Sequence, residues 1–265
     1  MIKNFYIFIF CLLGLLNVSA NEIVIQSTSS TRDSGLYEFL LPKYPNYDQT
    51  NIKVIAVGTG QAIVNARNCD GDLLIVHDEK RELEFMRQGY GIKRHSLMFN
   101  DFVIVGPLSD PAQINNSINP EDVFISIAES NSKFISRSDS SGTHAAEISI
   151  WKRTQINPLS YSGQWYIQTG QGMGPSLNIA IAKNAYILTD RSSWLKFKNK
   201  KEHRILYSNK NRLKNEYGLI LVNYNRCKNI NKVVVSNLYD WLISESAKSH
   251  ITAYKINGKQ VFNVE

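Results

Sequence analysis

A strand, a polar loop and a helix follow one another in the stretch KFISRSDSSGTHAAEISIWK, residues 133–152. Residues 133–136 form a short, mostly apolar run, and we predict a strand there. The loop at residues 137–143 consists of serines, a threonine, a glycine, an aspartate and an arginine. Residues 145–152 place two large apolar side chains three positions apart, on one side of a helix. The stretch therefore predicts a strand that leads through a polar loop into a helix.

The same order of elements recurs on both sides of this stretch. Apolar, strand-like runs alternate with helical segments, and several runs end in glycine or hydroxyl residues. This alternation is typical of an α/β domain with a parallel sheet. The predicted strands are residues 22–26, 52–57, 73–76, 102–105, 133–136, 165–168, 185–188 and 218–223, and the predicted helices are residues 36–40, 62–66, 121–129, 145–152, 177–182 and 234–251.

The chain is long enough for two α/β lobes, each with its own core. We predict two chain crossings between them, near residues 100–106 and 217–223. The first lobe then comprises residues 21–101 and 222–265, and the second comprises residues 102–221. Two lobes joined by a two-stranded hinge enclose a ligand cleft.

The N-terminus is typical of a cleavable secretory signal peptide. Lys3 gives a positive start, residues 5–16 are apolar, and Val18-Ser19-Ala20 supplies small residues before Asn21. An uncleaved anchor is the alternative, but the apolar run is shorter than the ~20 residues that a membrane span needs. We predict a signal peptide over residues 1–20 and an exported mature chain that begins at Asn21.

The charge balance is mildly basic. The chain has 30 Lys and Arg against 23 Asp and Glu, and residues 1–20 carry only Lys3, so the mature chain has 29 − 23 = +6. Such an excess weakly favours anionic ligands. Much of it falls in residues 196–204 and 210–214, and runs of this kind are typical of solvated surfaces. No nucleic-acid-binding module is recognisable, and we expect no nucleic-acid partner.

Cys69 and Cys227 are the two cysteines of the mature chain. Export permits a disulfide between them, and their separation along the sequence leaves the pairing open. No cysteine spacing typical of a metal site is present, and we predict neither a metal nor a cofactor.

Three polar loops each follow a predicted strand and precede a helix: residues 27–31, 58–60 and 137–143. Ligands of parallel α/β sheets bind at the carboxyl ends of the strands. Helix N-termini offer free N–H groups, hydroxyls donate hydrogen bonds, and Arg137 adds a permanent charge. A single loop of this kind is usually a helix cap. Three together predict a shell of donors that suits a tetrahedral oxyanion.

The loop at residues 137–144, Arg-Ser-Asp-Ser-Ser-Gly-Thr-His, resembles the Ser-Arg-x-Asp-x-Ser-Gly-Thr-His signature of tungstate-binding periplasmic proteins. Residues 27–36, STSSTRDSGL, are similar to that family's Thr-Thr-Thr-Ser-Thr-x-Asp-Ser-Gly-Leu, with Ser27 and Ser29 where the family often has threonine. Further family blocks are matched in order by residues 57–62, 76–78, 100–107 and 170–174, whereas residues 196–214 are poorly matched.

The resemblance implies a type II periplasmic binding fold, and we predict a binding protein with no catalytic activity. It also implies a tungstate ligand, with molybdate as an alternative, a partner permease of an ATP-binding-cassette importer, and a periplasmic location. We expect a monomer. The residues that the resemblance assigns to the ion are Thr28, Ser29, Ser30, Thr59, Arg137, Ser141, Gly142 and Thr143, with Gly60, Asp78, Gly172 and Gly174 as a second tier.

A phosphate receptor is the nearest alternative, because Arg-x-x-x-Ser-Gly-Thr also occurs in phosphate-binding proteins. Phosphate can retain a proton at neutral pH, and Asp78 could accept it. We expect Asp78 instead to pair with Arg137, since a buried arginine normally needs a partner. We expect His77 to be structural rather than a metal ligand.

An enzyme and a sensor-coupled receptor are the other interpretations of the sequence. Ser141 and His144 could serve as nucleophile and base, but the Gly-x-Ser-x-Gly elbow is missing and no third group is identifiable. The Gly170-x-Gly172-x-Gly174 spacing differs from the dinucleotide fingerprint. A receptor that binds the oxyanion in the same cleft and signals to a membrane sensor remains an alternative.

Overall fold

The computed structural model describes residues 21–265, and the predicted signal peptide lies outside them. Eleven strands are present in the described part of the chain, mostly short and buried. Their bounds are β1 (Asn21–Thr28), β2 (Thr50–Val57), β3 (Leu73–Val76), β4 (Gly91–Pro107), β5 (Phe134–Ser136), β6 (Tyr166–Gln168), β7 (Tyr186–Asp190), β8 (His203–Ser208), β9 (Lys214–Val222), β10 (Lys255–Ile256) and β11 (Lys259–Gln260).

Helices fill most of the connections between the strands. Four are single 3₁₀ turns, at Leu41–Lys43, Tyr47–Gln49, Ile114–Asn116 and Pro158–Tyr161. The α-helices are α1 (Ser29–Ser34), α2 (Leu36–Leu40), α3 (Thr59–Arg67), α4 (Glu79–Arg87), α5 (Pro120–Glu129), α6 (Gly142–Thr154), α7 (Met173–Lys183), α8 (Arg191–Lys196), α9 (Lys232–Leu242) and α10 (Glu245–Ala253).

The large strands form one sheet in the order β2-β1-β3-β9-β4-β7-β5-β6, with β8 also paired to β4. The two ends of this sheet are parallel: β1 with β2 and β3, and β5 with β6 and β7. The middle is antiparallel, through β9 and β4. The expected α/β rhythm of two lobes is confirmed, since each parallel end is covered by its own helices.

Separate hydrophobic cores define the two lobes. One core gathers the side chains of β1, β3, β9 and the C-terminal helices. The second lobe has a core on each face of its sheet, and β4 contributes to both. Phe102 and Ile104 point to one face, whereas Val103 and Val105 point to the other, because side chains alternate along a strand.

Strand β4 carries the chain from one lobe to the other. Residues 91–101 pair with β9, and residues 102–107 pair with β7 and β8. The return crossing differs from the sequence prediction. Strand β9 pairs with β3, and its buried residues join the first core, so a boundary at 221/222 conflicts with the pairing. We propose a return crossing near Leu213, which still packs in the second lobe.

One predicted helix is two. The segment expected as a single helix over 234–251 is divided into α9 and α10 at Ile243 and Ser244. The Ser244 hydroxyl accepts a hydrogen bond from the Ala247 N–H, so it caps α10, and the chain turns there. Cys69 and Cys227 form a disulfide, with their Cα atoms 5.3 Å apart, inside the first lobe. Among residues 21–265, no helix is long and apolar enough to cross a membrane.

Candidate functional site

The first lobe brings three polar segments to one edge of its sheet. Thr28 ends β1 beside Val57, the last residue of β2, and Ser27 lies beside Ile75 of β3. Because these strands are parallel, the loops that follow them leave the sheet at the same edge. The hydroxyl loop after β1, the Gly58–Gly60 turn after β2 and His77 after β3 are therefore neighbours.

Hydroxyl groups of the first loop hold one another. The Thr28 Oγ1 lies 2.8 Å from the Thr31 Oγ1 and 3.3 Å from the Ser30 Oγ. Thr28, Ser30 and Thr31 are buried, and Ser29 is half-buried as the first residue of α1. Hydroxyls paired in this way can rotate to present their protons to a ligand.

Thr59 begins α3 and is fully buried. Its Oγ1 makes no hydrogen bond to any group in the described chain. The start of α3 also lacks a side-chain cap within residues 21–265, so its first N–H groups remain free to bind a ligand. Buried polar groups are nearly always paired, so this hydroxyl and the helix start are left available to the acceptor atoms of a ligand.

Arg137 leaves β5 and is 3% exposed. Its Nε donates to the Asp139 Oδ2 at 3.0 Å, and its Nη2 donates to the same oxygen. The other Asp139 oxygen accepts from the Ser141 N–H at 3.3 Å. The sequence reasoning missed Asp139 as the partner, although it lies only two residues from Arg137.

The expected pairing of Asp78 with Arg137 is wrong. Asp78 caps α4, where its Oδ1 accepts from the Arg81 N–H at 3.1 Å. Its Oδ2 lies 3.3 Å from the Arg81 Nε. A carboxylate at a helix start finds donors within its own first turn, so it has little to gain from a more distant arginine.

The loop between Arg137 and Ser141 has an unusual backbone. Ser138 and Ser140 have φ angles of 49° and 56°, in the left-handed region that serine seldom occupies. Each is held from outside the loop. The Gln168 Nε2 donates to the Ser138 Oγ at 2.9 Å, and the Arg81 Nη1 donates to the Ser140 carbonyl at 2.8 Å.

The start of α6 completes this side of the site. The Ser141 Oγ accepts from the His144 N–H at 3.2 Å and caps the helix. Thr143 is buried, and its Oγ1, like that of Thr59, has no hydrogen-bond partner in the part of the chain that the structure describes. A Cβ at Gly142 would lie 2.7 Å from the His77 Nδ1 and would also collide with the His77 carbonyl, so only glycine fits.

The two lobes touch across the cleft at these loops. Gly142 of the second lobe lies against His77 of the first, and Gly58 approaches the Asp139 carbonyl, 3.5 Å from the position of a Cβ. Gly60 faces the Arg81 guanidinium and Ser140. The start of α3 and the loop before α6 are thus in contact across the cleft.

His77 packs against strand β9. Its ring stacks on Tyr217, with centroids 4.9 Å apart, and its Nδ1 lies 2.8 Å from the Asn215 Oδ1. Burial lowers the pKa of His77, so the ring is neutral at pH 7. Within residues 21–265, no three His, Cys, Asp or Glu side chains are grouped to hold a metal ion.

Gly172 and Gly174 lie apart from the enclosed hydroxyls. Both are exposed at the start of α7, and a Cβ on either would meet open space. Their assignment to the site stays a prediction. Gly60, by contrast, lies in the contact between the lobes.

A second layer of buried polar groups supports the site, and sequence reasoning missed it. Glu147 of α6 accepts from the Ser136 Oγ at 2.8 Å and from the Tyr166 hydroxyl at 2.7 Å, which fixes the end of β5 before Arg137. In the hinge, the Asn215 Nδ2 donates to the Asn100 Oδ1 at 2.7 Å. No local sequence pattern predicts such contacts.

Ser141 and His144 are not arranged as a nucleophile and base. The Ser141 hydroxyl bonds the backbone of His144, not its ring. The ring Nδ1 lies 3.2 Å from the Ser136 Oγ and 3.4 Å from the Glu147 Oε2. These contacts orient the imidazole toward the second-lobe core, away from a role at Ser141.

Comparison with known proteins gives consistent matches. Residues 18–246 match the PBP superfamily domain. The tungstate-binding protein TupA of Peptoclostridium acidaminophilum is 38% identical over 236 residues, which cover 88% of this chain and 81% of that protein. The tungstate-binding protein TupA of Campylobacter jejuni is 36% identical and covers 89% of this chain and 88% of its own length.

Two solved structures share the architecture closely. The crystal structure of the tungstate ABC transporter from Geobacter sulfurreducens superposes with a TM-score of 0.80 and 37% identity, covering 88% of this chain and 98% of that one. The tungstate-binding protein TupA from Desulfovibrio alaskensis G20 superposes with a TM-score of 0.79 and 35% identity, covering 92% and 98%.

Proposed function

The chain belongs to the tungstate-binding proteins of the PBP superfamily, and on that premise we propose that it captures tungstate between its lobes for an ATP-binding-cassette importer. Its relatives are binding proteins rather than enzymes. The type II periplasmic binding fold predicted from the sequence agrees with these neighbours.

The observation that carries the proposal is the pair of unpaired hydroxyls on Thr59 and Thr143. Each is buried, each begins a helix, and the two helices belong to opposite lobes. An unpaired buried hydroxyl costs about 1–3 kcal/mol, so one such hydroxyl in each lobe is expected where a ligand supplies acceptors. A tetrahedral oxyanion has four acceptor oxygens and can serve both lobes at once.

Charge supports the same ligand. Arg137 is buried six residues before Thr143, and Asp139 holds its guanidinium in place. The starts of α3 and α6 add the partial positive charge of helix N-termini. Neutral donors replace the hydration of a dianion, and the arginine supplies the charge that they lack.

The nearby carboxylates support a fully deprotonated ion. Asp78 is engaged by Arg81, and Asp139 is engaged by Arg137 and by the Ser141 N–H. A ligand that kept a proton, as phosphate does, would need a free acceptor. Tungstate and molybdate bring no proton at neutral pH and need donors only.

Delivery and location complete the proposal. The signal peptide over residues 1–20 would export the chain to the periplasm, where it would act as a monomer and dock on a membrane permease. Mass spectrometry of the exported protein should find Asn21 as the first residue, and a chain that retained Met1 would contradict this part.

Calorimetric titration of the mature protein with tungstate, molybdate, sulfate and phosphate tests the ligand. We expect tight binding of tungstate and little binding of phosphate. A thousandfold excess of ligand over Kd should stabilise the fold by about 4 kcal/mol. Binding of phosphate alone, lost in Asp78→Asn, would favour the phosphate receptor.

A further inference from the structure

We propose that Arg81 is a positioning residue that clasps the closed cleft, although it lies outside the enclosed donors. This inference rests on the proposed function, because it concerns how long a captured oxyanion stays bound. Arg81 belongs to α4 of the first lobe, and the group it holds belongs to the ligand loop of the second.

The clasp consists of contacts to both lobes from a single guanidinium. The Arg81 Nη1 donates to the Ser140 carbonyl at 2.8 Å, across the cleft and 59 residues away in sequence. The Nε lies 3.3 Å from the Asp78 Oδ2, and the Arg81 N–H donates to the other oxygen of Asp78. Asp78 thus orients the guanidinium, and the Nη1 group reaches the opposite lobe.

Asp78 is itself well anchored. Its side chain is 9% exposed, against 41% for that of Arg81, and its N–H donates to the Glu82 Oε1 at 2.9 Å. Glu82 is fully buried and takes two donors from Arg94 of β4. The clasp is therefore attached to the hinge strand of the first lobe rather than to a mobile surface chain.

The acceptor of this hydrogen bond, the Ser140 carbonyl, lies in the loop that carries Arg137. Ser140 is in the left-handed region, directly after Asp139, the residue that holds Arg137. A hydrogen bond to the Ser140 carbonyl helps to hold this strained loop in its ligand-binding shape. Gly60 lies under the contact, and a Cβ there would be 3.2 Å from the Arg81 Nη1 and 3.5 Å from Ser140.

The test compares Arg81→Ala with Arg87→Ala by calorimetry, stopped-flow dissociation of tungstate and thermal melting. Arg87 lies on the same helix and, within residues 21–265, pairs only with Glu84 on the surface, so it is a matched control. We expect Arg81→Ala to speed dissociation about three- to tenfold, because a charged hydrogen bond is lost from a partly exposed place. The association rate should change less than twofold.

The melting temperature of the ligand-free protein separates a clasp from a structural role. If the Arg81 contact exists mainly in the closed form, Arg81→Ala should melt within about 1 °C of the Arg87→Ala control before tungstate is added. A fall without ligand, with an unchanged dissociation rate, would mean that Arg81 only stabilises α4 and would overturn the proposal.

A second variant tests the same contact from the other side. Gly60→Ala should speed dissociation in the wild-type chain and have a smaller effect in the Arg81→Ala chain, since the displaced contact is already missing. Equal effects in the two backgrounds would count against the clasp. If the wild-type protein itself bound no tungstate, the proposed function would fail first, and the two failures are thus distinguishable.

Discussion

The two lobes offer the same ligand different chemistry. The first lobe contributes neutral hydroxyls from Thr28 to Thr31 and at Thr59, and its α3 start has no side-chain cap among the described residues. The second contributes Arg137, a helix capped by Ser141, and a loop with two left-handed serines. One side can adjust its donors by rotating hydroxyls, whereas the other is fixed in advance by Asp139.

The two lobes therefore contribute different properties to ligand binding. Rotatable hydroxyls adapt to an oxyanion at small cost, because each can turn its proton to the nearest oxygen. A fixed arginine contributes attraction without having to be ordered at the moment of binding. The following experiments test whether charge and adaptability are divided between the lobes in this way.

Removing the charge of the second lobe should have the largest effect. Arg137→Ala should weaken tungstate binding at least about tenfold, since losing one member of a buried charged contact typically costs ~2–5 kcal/mol. Arg137→Lys should restore only part of the affinity, because an ammonium lacks the planar fork. Calorimetry measures both.

Arg153→Ala is the control for this change, because Arg153 is exposed on α6 and pairs with Glu121. Its affinity should equal that of the wild type. An unchanged affinity in Arg137→Ala, with an intact fold by circular dichroism, would show that the charge of Arg137 does not contribute to ligand binding.

The disulfide is a second difference, since it lies in the first lobe only. Replacing Cys69 and Cys227 by serine should lower the free energy of unfolding by about 2–5 kcal/mol. Cys69 lies beyond the far end of α3, which is about 12 Å from Thr59 at 1.5 Å per residue, so affinity should hardly change. Chemical denaturation of the wild type under reducing conditions should reproduce the loss.

A smaller effect on affinity is expected at the unpaired hydroxyls, because each lobe contributes one of them. Thr59→Val and Thr143→Val should each weaken tungstate binding about fivefold, because a net hydrogen bond contributes about 1 kcal/mol. Neither should destabilise the ligand-free protein, since the lost hydroxyl has no partner in the described chain.

Thr31→Val provides the contrast for these variants. Its hydroxyl is bonded to Thr28, so the ligand-free melting temperature should fall. A loss of ligand-free stability in Thr59→Val as large as in Thr31→Val would show that Thr59 has a structural partner instead of a ligand.

The smallest effect concerns the strained loop of the second lobe. Ser140→Gly should raise the free energy of unfolding by about 0.5 kcal/mol, because glycine takes a positive φ without strain, and this gain outweighs its greater freedom when unfolded. Ser117 has an ordinary φ of −70°, so Ser117→Gly should lower stability instead. Differential scanning calorimetry should detect opposite shifts of about 1–2 °C.

Most of the elements could be predicted because their signals are local. The apolar runs of β1, β2, β3, β5 and β7 and the periodic faces of α5, α6 and α7 lie within single segments. The first half of β4 was missed because Lys93, Arg94 and His95 make it polar, and it is only partly buried between α4 and β9. Strand β8 was missed for a similar reason, since it follows a run of lysines.

The sequence indicates candidate donors for the site but not the partners of their side chains. The loop sequences indicate Arg137, Thr59 and Thr143 as candidate donors, because each lies where a predicted strand ends and a helix begins. Asp78 was assigned to the wrong arginine, since charge type alone does not tell which of several arginines is near. Only the folded chain shows that Arg81 takes Asp78 and that Asp139 takes Arg137.

The sequence by itself determined the α/β lobes, the donor loops and the family, because periodicity, caps and motifs are written in neighbouring residues. The tertiary structure alone decided the contact of His77 with Asn215, 138 residues away, the disulfide and the Arg81 contact between the lobes. It also decided which hydroxyls stay unpaired. The physical reason is that these contacts depend on where the sheet edge and the hinge place distant residues, and no local pattern encodes that distance.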